Sequence, residues 1–306
     1  MKISVVTTLF YSDLYIREFY QRVMKEIKKI SSDYEIVFVN DGSPDKSKET
    51  VLELQTADHH IVVVDLSRNF GHHRAMMTGL QFAEGDYIFL IDSDLEEDPE
   101  IFSLLWEKLE ASPELDMVYG IQQKRKGGYF ERASGNIYYK LFYYIAGFEY
   151  PSDTLTARIM SRRYIDGLKT FREKEVDLWG LFMLNGFKQE GILVHKKHKG
   201  TSTYTFRRKM KLAIDAIVSL TSRPLYFIFF LGIIISSISF FNILWILYRK
   251  IIHHKEVEIL SGILASVWFI GGIIMFTLGI ISIYLSRIFL EVKNRPLSVI
   301  KQVYKI

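Results

Sequence analysis

The stretch Gly85-Asp86-Tyr87-Ile88-Phe89-Leu90-Ile91-Asp92-Ser93-Asp94-Leu95-Glu96-Glu97-Asp98-Pro99-Glu100 sets the reading of this chain. Its first half is aromatic and branched after a Gly-Asp turn, which predicts a strand. The apolar run is nearly unbroken, so the strand should be central and covered on both faces. Asp92 and Asp94 then fall at its carboxyl end, with Glu96 just beyond. Carboxylates so placed can converge on Mg2+ or Mn2+, hard cations that take oxygen ligands and complete their shell with water and substrate phosphates. The same residues also read as an acidic loop opening a helix at Asp98-Pro99-Glu100, and both readings hold together if Asp98 caps while Asp92 and Asp94 bind.

The sequence upstream repeats this pattern. Residues 2–9 read as a strand, 13–30 as an amphipathic helix, 34–39 as a second strand and 44–55 as a helix. Residues 61–65 form a third strand before a helix at 72–83, and a helix at 99–111 leads to a short strand at 117–120. Strands alternating with helices predict a parallel α/β sheet, whose ligands bind outside the carboxyl ends of the strands. The polar turns at Asp13, Asp41, Arg68-Asn69 and Asp92–Asp94 would all lie along that edge.

The second half is less regular. Residues 122–132 are basic and broken by glycine, either a solvated loop or a cationic mouth for phosphates. Residues 137–145 are unusually aromatic, fitting either a core or a helix at a membrane interface. Residues 172–190 read as a helix and 206–220 as a basic amphipathic helix, with the basic, hydroxyl-rich segment Lys196–Tyr204 before it.

The chain has 306 residues, a net charge of +4 and no cysteine. Cysteine-based catalysis, disulfides and thiolate metal sites are excluded, and the spread of Lys and Arg is not that of a nucleic-acid-binding tail. The opening residues predict a first strand rather than a signal peptide. From Pro224 to Tyr248, and again from Ile259 to Ser286, there is no Asp, Glu, Lys or Arg. Each run exceeds the roughly 20 apolar residues needed to span a bilayer, so a two-helix hairpin is expected rather than two core helices. Basic residues flank both outer ends, which favours those ends in the cytoplasm, although the linker 249–258 is basic as well.

Taken together, these residues resemble the family 2 glycosyltransferases that act on polyprenyl phosphates, such as dolichyl-phosphate mannose synthases and bacterial undecaprenyl-phosphate glucosyltransferases. The resemblance is carried by Asn40-Asp41-Gly42-Ser43 with Asp45, by Arg68-Asn69-Phe70-Gly71-His72 with Ala75 and Gly79-Leu80, and by Asp92-Ser93-Asp94-Leu95 with Asp98-Pro99-Glu100. It continues through Tyr119-Gly120, Ser161-Arg162, Gly200–Tyr204, Arg223-Pro224-Leu225 and Glu291-Val292-Lys293 with Arg295-Pro296, nearly the whole chain. There are departures. The family's opening Pro-x-Tyr-Asn-Glu turn is here Thr8–Asp13, its Asp-Leu-Gln is Asp94-Leu95-Glu96, and the Arg expected after Tyr119-Gly120 is Gln122. Its Asp-x-Gly-x-Phe-Arg is Asp153–Arg158, and the Lys of its Gly-x-Ser-Lys-Tyr is Thr203. These changes hint at a different donor sugar.

The resemblance implies a GT-A type nucleotide-sugar domain over residues 1–203, a juxtamembrane helix over 204–223, a hairpin over 224–286 and a cytoplasmic tail over 287–306. It implies a bacterial-type inner-membrane, multi-pass enzyme with its catalytic domain in the cytoplasm. The implied reaction is inverting transfer from a nucleotide sugar, UDP favoured over GDP, to a polyprenyl phosphate. The implied site has Asp94, Asp153 and Arg158 at the chemistry, and Asp92, Asp94 and Glu96 on Mg2+ or Mn2+. Thr8, Phe10, Asp13, Asp41, Arg68 and Asp92 would hold the nucleotide sugar, and Arg132, Lys197 and Ser202, with Arg158, the acceptor phosphate. A homo-oligomer is compatible with all of this. A processive polysaccharide synthase is the first competing class, but the Gln-x-x-Arg-Trp motif usual there is absent, the nearest segment being Glu175–Trp179. A non-catalytic membrane scaffold is the second.

Overall fold

A computed structural model describes residues 1–122, 154–172, 178–194 and 259–306, with isolated positions between 225 and 248. The chain divides into two compact units. The described residues of the first form an eight-stranded sheet, and this unit takes in the C-terminal segment Asn294–Ile306. Its elements begin β1 (Ile3–Leu9), α1 (Asp13–Ile27), β2 (Tyr34–Asn40), α2 (Ser47–Ala57), β3 (Ile61–Leu66), α3 (His72–Phe82), β4 (Tyr87–Leu90) and α4 (Ile101–Glu110). They continue with β5 (Met117–Gln122), β6 (Thr154–Ser161), helices Arg162–Leu168 and Leu178–Leu184, β7 (Gln189–Val194) and finally β8 (Ile300–Tyr304).

The strand order is β7-β5-β6-β4-β1-β2-β3-β8. Strands β1 to β4 are mutually parallel, as the alternation of strands and helices predicts. Only β6 and β8 run against the rest. The central strands are apolar on both faces because helices cover both. Ile36 and Phe38 of β2 join the layer of α1, α2 and α4, while Val37 and Val39 join that of α3 and the helices Arg162–Leu168 and Leu178–Leu184. Gly79 lets α3 approach the sheet closely, since a Cβ there would stand 2.6 Å from Val6 Cγ1 and 2.8 Å from Val39 Cγ2.

Three segments take forms that the sequence did not foretell. The helix expected over 172–190 is a short helix at Leu178–Leu184 followed by β7. Gly186, at φ +74°, makes the turn between them. Residues 154–161, assigned to no element from sequence, form β6 between β4 and β5. Within the tail expected over 287–306, Ile300–Tyr304 pairs antiparallel with β3 as β8. Ser67 N–H donates to the Val299 carbonyl at 2.9 Å, and the Thr78 and Ser298 hydroxyls meet at 2.7 Å. Gln55 Nε2 donates to the Tyr304 carbonyl at 3.0 Å.

The second unit includes the helix Ile259–Val292. Among the described residues it is the one helix long and apolar enough to cross a membrane, with mean hydropathy reaching 2.1 in an 18-residue window within Phe269–Val292. Of the two expected spans, the second falls on this helix. The first, 224–248, falls on a stretch described only at isolated positions, each of them helical. The aromatic segment 137–145 and the amphipathic helix expected over 206–220 lie outside the described residues.

Candidate active site

The parallel strands bring their carboxyl ends to one edge, and four turns meet there. Asp41 follows β2 and is 3 % exposed. Its carboxylate accepts the Phe70 N–H at 2.7 Å on Oδ1 and the Gly71 N–H at 3.1 Å on Oδ2. Burial pushes the Asp41 carboxyl above its ordinary range, and the two N–H donors with Arg68 and His72 nearby work against that rise. Asp41 thus orders the turn after β3 with one lone pair on each oxygen, and an ionised carboxylate has further lone pairs to offer. Gly42 is essential to this packing. It stands at φ +62°, and a Cβ there would lie 2.5 Å from both Arg68 C and Asn69 N. Arg68 is exposed and lies over the Phe70 ring, 4.2 Å from its centroid.

Thr8 lies near the carboxyl end of β1, Phe10 and Tyr11 in the turn that follows, and Asp13 at the start of α1. Phe10 is 47 % exposed and Tyr11 63 %, their rings edge-to-face at 4.9 Å. Tyr11 N–H donates to Ser43 Oγ at 2.8 Å, tying this turn to the one after β2. Asp13 heads α1. It accepts the Thr50 hydroxyl, and its N–H donates to Asp45 Oδ2 at 3.1 Å. Asp45 in turn accepts the Ser43 and Ser47 hydroxyls, each at 2.6 Å, and so fixes the start of α2. Asp13 is therefore a connector of the two turns.

The acidic turn after β4 has a defined shape. Ser93 is buried and donates to the Thr8 carbonyl at 2.8 Å. Leu95 sits at φ +59°, a left-handed conformation that costs a non-glycine residue about 1–2 kcal/mol. That conformation folds the Glu96 N–H back onto Asp94 Oδ1 at 2.9 Å. Asp92 Oδ2 accepts the Thr156 hydroxyl at 2.7 Å, and its Oδ1 faces His72 Nε2 at 3.3 Å. His72 Nδ1 meets Thr8 Oγ1 at 3.1 Å. Burial alone would lower the His72 pKa, but the bond to Asp92 and the nearby Asp41 and Asp94 raise it. Its side chain keeps 48 % of its surface open, so solvent weakens these attractions.

Glu97, next in the turn, is 3 % exposed and accepts the N–H groups of Thr156 at 2.9 Å and Ala157 at 2.7 Å. His72, Thr156 and Glu97 were not singled out as site residues from sequence. His72 stood within a motif, but its partners lie on β1 and after β4, a proximity that no local spacing reveals.

Arg158 is buried on β6. It is 2 % exposed, donates to the Leu155 and Thr156 carbonyls at 2.8 and 3.0 Å, and packs 4.1 Å from the Trp179 ring centroid and 4.0 Å from that of Phe182. Its guanidinium is held by aromatic faces, a cation–π arrangement that fastens β6 to helix Leu178–Leu184. Asp153, Arg132, Lys197 and Ser202 lie outside the described residues.

Among the described residues no three His, Asp or Glu side chains converge into a preformed cation centre. The expected trio of Asp92, Asp94 and Glu96 is thus not a closed cluster, and Glu96 meets Asp94 through its backbone N–H. The donor set still fits Mg2+ or Mn2+ in kind. Such ions are commonly held by one or two carboxylates, with water and substrate phosphates filling the remaining positions.

Comparison with known proteins decides the family. Residues 4–168 match the model of glycosyl transferase family 2. The chain belongs to glycosyltransferase family 2. It is 40 % identical over 304 residues to a Mycobacterium tuberculosis chain described among the glycosyltransferases, covering 99 % of this chain and 89 % of that one. It is 30 % identical to the prophage bactoprenol glucosyl transferase homolog of Escherichia coli, with 100 % of both chains covered. Among solved structures, it is similar to Mycobacterium tuberculosis glucosyl-3-phosphoglycerate synthase crystallised with Mn2+, UDP and phosphoglyceric acid. That match has a TM-score of 0.53 at 17 % identity, over 72 % of this chain and 78 % of that one. Mannosyl-3-phosphoglycerate synthase from Rubrobacter xylanophilus gives a TM-score of 0.51 at 15 % identity, over 71 % and 72 %. At these identities the likeness to the solved structures is one of fold, a GT-A-like α/β sheet.

Proposed function

We propose that this glycosyltransferase moves a sugar from a nucleotide sugar, UDP-linked in preference to GDP-linked, to a polyprenyl phosphate at a membrane surface, with inversion at the anomeric carbon. The observation that carries the reading is the end-to-end match to a bactoprenol glucosyl transferase homolog, which extends past the sheet into the apolar helix Ile259–Val292. A soluble acceptor would require no such helix.

The chemistry follows from the acceptor. A phosphate oxygen is already ionised at neutral pH, so no strong general base is obligatory. Placement of the two substrates and stabilisation of the leaving diphosphate are the demanding parts. A bound Mg2+ or Mn2+ would neutralise charge on that diphosphate, held by Asp94 with Asp92. Support for the metal comes from the strand-end carboxylates and from the Mn2+ and UDP in the structural neighbour. Thr8, Phe10, Asp13, Asp41 and Arg68 surround the edge where the nucleoside and its sugar would lie. In this reading Asp153, immediately before β6, orients the sugar or acceptor. Arg158 holds β6 in place, and Arg132, Lys197 and Ser202 grip the acceptor phosphate. Arginine can do so bidentately and lysine as a point charge. Residues 224–248 and 259–286 would form a hairpin in a bacterial inner membrane, with both outer ends cytoplasmic.

The test is a panel of nucleotide sugars offered with undecaprenyl phosphate to the purified protein in detergent, read by mass spectrometry of the lipid. One sugar on the lipid phosphate is expected. Transfer only to soluble acceptors would refute the lipid-acceptor reading, and a growing polymer would point to a synthase.

A further inference from the structure

Asp92 is gripped on both carboxylate oxygens by side chains from two other elements. His72, the first residue of α3, faces Oδ1 through Nε2 at 3.3 Å, while Thr156 on β6 donates to Oδ2 at 2.7 Å. On its far nitrogen, His72 meets the Thr8 hydroxyl of β1 at 3.1 Å. One neutral tautomer satisfies both histidine contacts, with Nε2–H donating to Asp92 and Nδ1 accepting from Thr8. Rotation of the carboxylate about its Cβ–Cγ bond would break one grip or the other. Thr156 is itself fixed, because its N–H is bound to the buried Glu97.

We propose that His72 and Thr156 are positioning residues that set the Asp92 carboxylate in the orientation used for divalent-cation and diphosphate binding. The inference rests on the transferase reading above and deepens it. Carboxylates that ligate cations are themselves oriented by hydrogen-bond partners, and loss of such a partner typically weakens metal affinity 10–100-fold. Neither residue touches substrate in this scheme. Their effect passes through Asp92, so it should appear on the cation and nucleotide and not on the lipid.

The experiment measures Mn2+ binding to the full chain in detergent by electron paramagnetic resonance, with UDP present and no acceptor. His72→Ala is expected to weaken Mn2+ binding by about 10-fold or more. His72→Gln should recover most of it, because the Gln amide can donate where Nε2 did. Thr156→Val, nearly isosteric, should weaken binding comparably, and Thr156→Ser should leave it unchanged. The KM for polyprenyl phosphate should stay put in all four variants. Wild-type Mn2+ affinity in both His72→Ala and Thr156→Val would overturn the proposal, as would a His72→Gln variant no better than His72→Ala. If His72→Ala does not fold, the Thr156 pair decides alone. If the wild-type protein takes up Mn2+ with UDP and the variants behave as stated, yet no lipid phosphate is glycosylated, the acceptor reading falls and the clamp stands. A wild-type protein that does not bind Mn2+ with UDP overturns the clamp directly.

Discussion

Replacing Glu97 by alanine should be among the most damaging single changes in the sheet unit, although Glu97 is not placed among the substrate-binding groups. Its carboxylate is 3 % exposed and accepts two backbone N–H groups, from Thr156 at 2.9 Å and Ala157 at 2.7 Å. Thr156 and Ala157 are buried as well, so water cannot readily take the place of the lost oxygens. An orphaned buried donor costs about 1–3 kcal/mol, so two of them bring the expected loss to roughly 2–6 kcal/mol. For a chain of this size that lowers the melting midpoint by roughly 5–20 °C. Glu97→Gln keeps one good acceptor and turns an amide N–H₂ toward the second donor, so it should fall between wild type and alanine. The assay is thermal unfolding in detergent, paired with hydrogen exchange read at the amides of β6. Exchange at Thr156 and Ala157 should accelerate in Glu97→Ala before the rest of the sheet does. A melting midpoint within about a degree of wild type, with β6 protection intact, would show that those N–H groups do not depend on Glu97.

Asp94→Asn should abolish sugar transfer while leaving the melting midpoint close to wild type; metal-dependent transfer near wild-type rates would remove Asp94 from the chemistry. Gly42→Ala should cost at least about 1–2 kcal/mol for its left-handed backbone. Because the new Cβ meets the Arg68–Asn69 backbone, the KM for the nucleotide sugar should also rise, and an unchanged KM would separate that turn from the donor site. Asp58 predicts a pH effect. Burial pulls its pKa up, but bonds from the His60 N–H and ring and from the Tyr20 and Tyr34 hydroxyls outweigh that and hold it below the ordinary carboxylate range. Its stabilisation is thus full above the unfolded pKa and is lost as pH falls through the folded one. Asp58→Asn should be less stable at neutral pH and show a flatter acid limb; parallel acid-unfolding curves for the two proteins would contradict this.

The parallel core was legible because each of β1 to β4 is an apolar run ended by a polar turn, and buried parallel strands have that signature. β6 was harder to read. Thr154-Leu-Thr-Ala-Arg158 mixes polar and apolar residues, and two of the polar ones are buried: Asp92 and Glu97 take the hydroxyl and N–H of Thr156, and the Trp179 and Phe182 rings take the Arg158 guanidinium. The split of the 172–190 segment was signalled by Asn185-Gly186, a pair suited to a helix end, but the apolar residues on either side ran the period through it. β8 left almost no signal. It is five residues long and largely exposed, and its identity as a strand depends on β3, far away in the sequence. In the site, the carboxylates were visible from their place at strand ends. What could not be seen was which side chains hold them, since His72, Thr156 and Asp92 come from three separate elements.

The return of the tail as β8 has a consequence for biosynthesis. Leu66 pairs with Ile300, so 234 residues must be added to the chain after Leu66 before its partner exists. At about 5–20 residues per second that is roughly 10–50 s of translation. Throughout that interval the outer side of β3 is an open strand edge, the kind of surface that recruits stray strands. The helix Ile259–Val292 is synthesised within the same window, ahead of β8. Closure of that edge therefore waits until the apolar helix has been made, and a ribosome that stops short of Ile300 releases a protein whose sheet still has the edge unsealed.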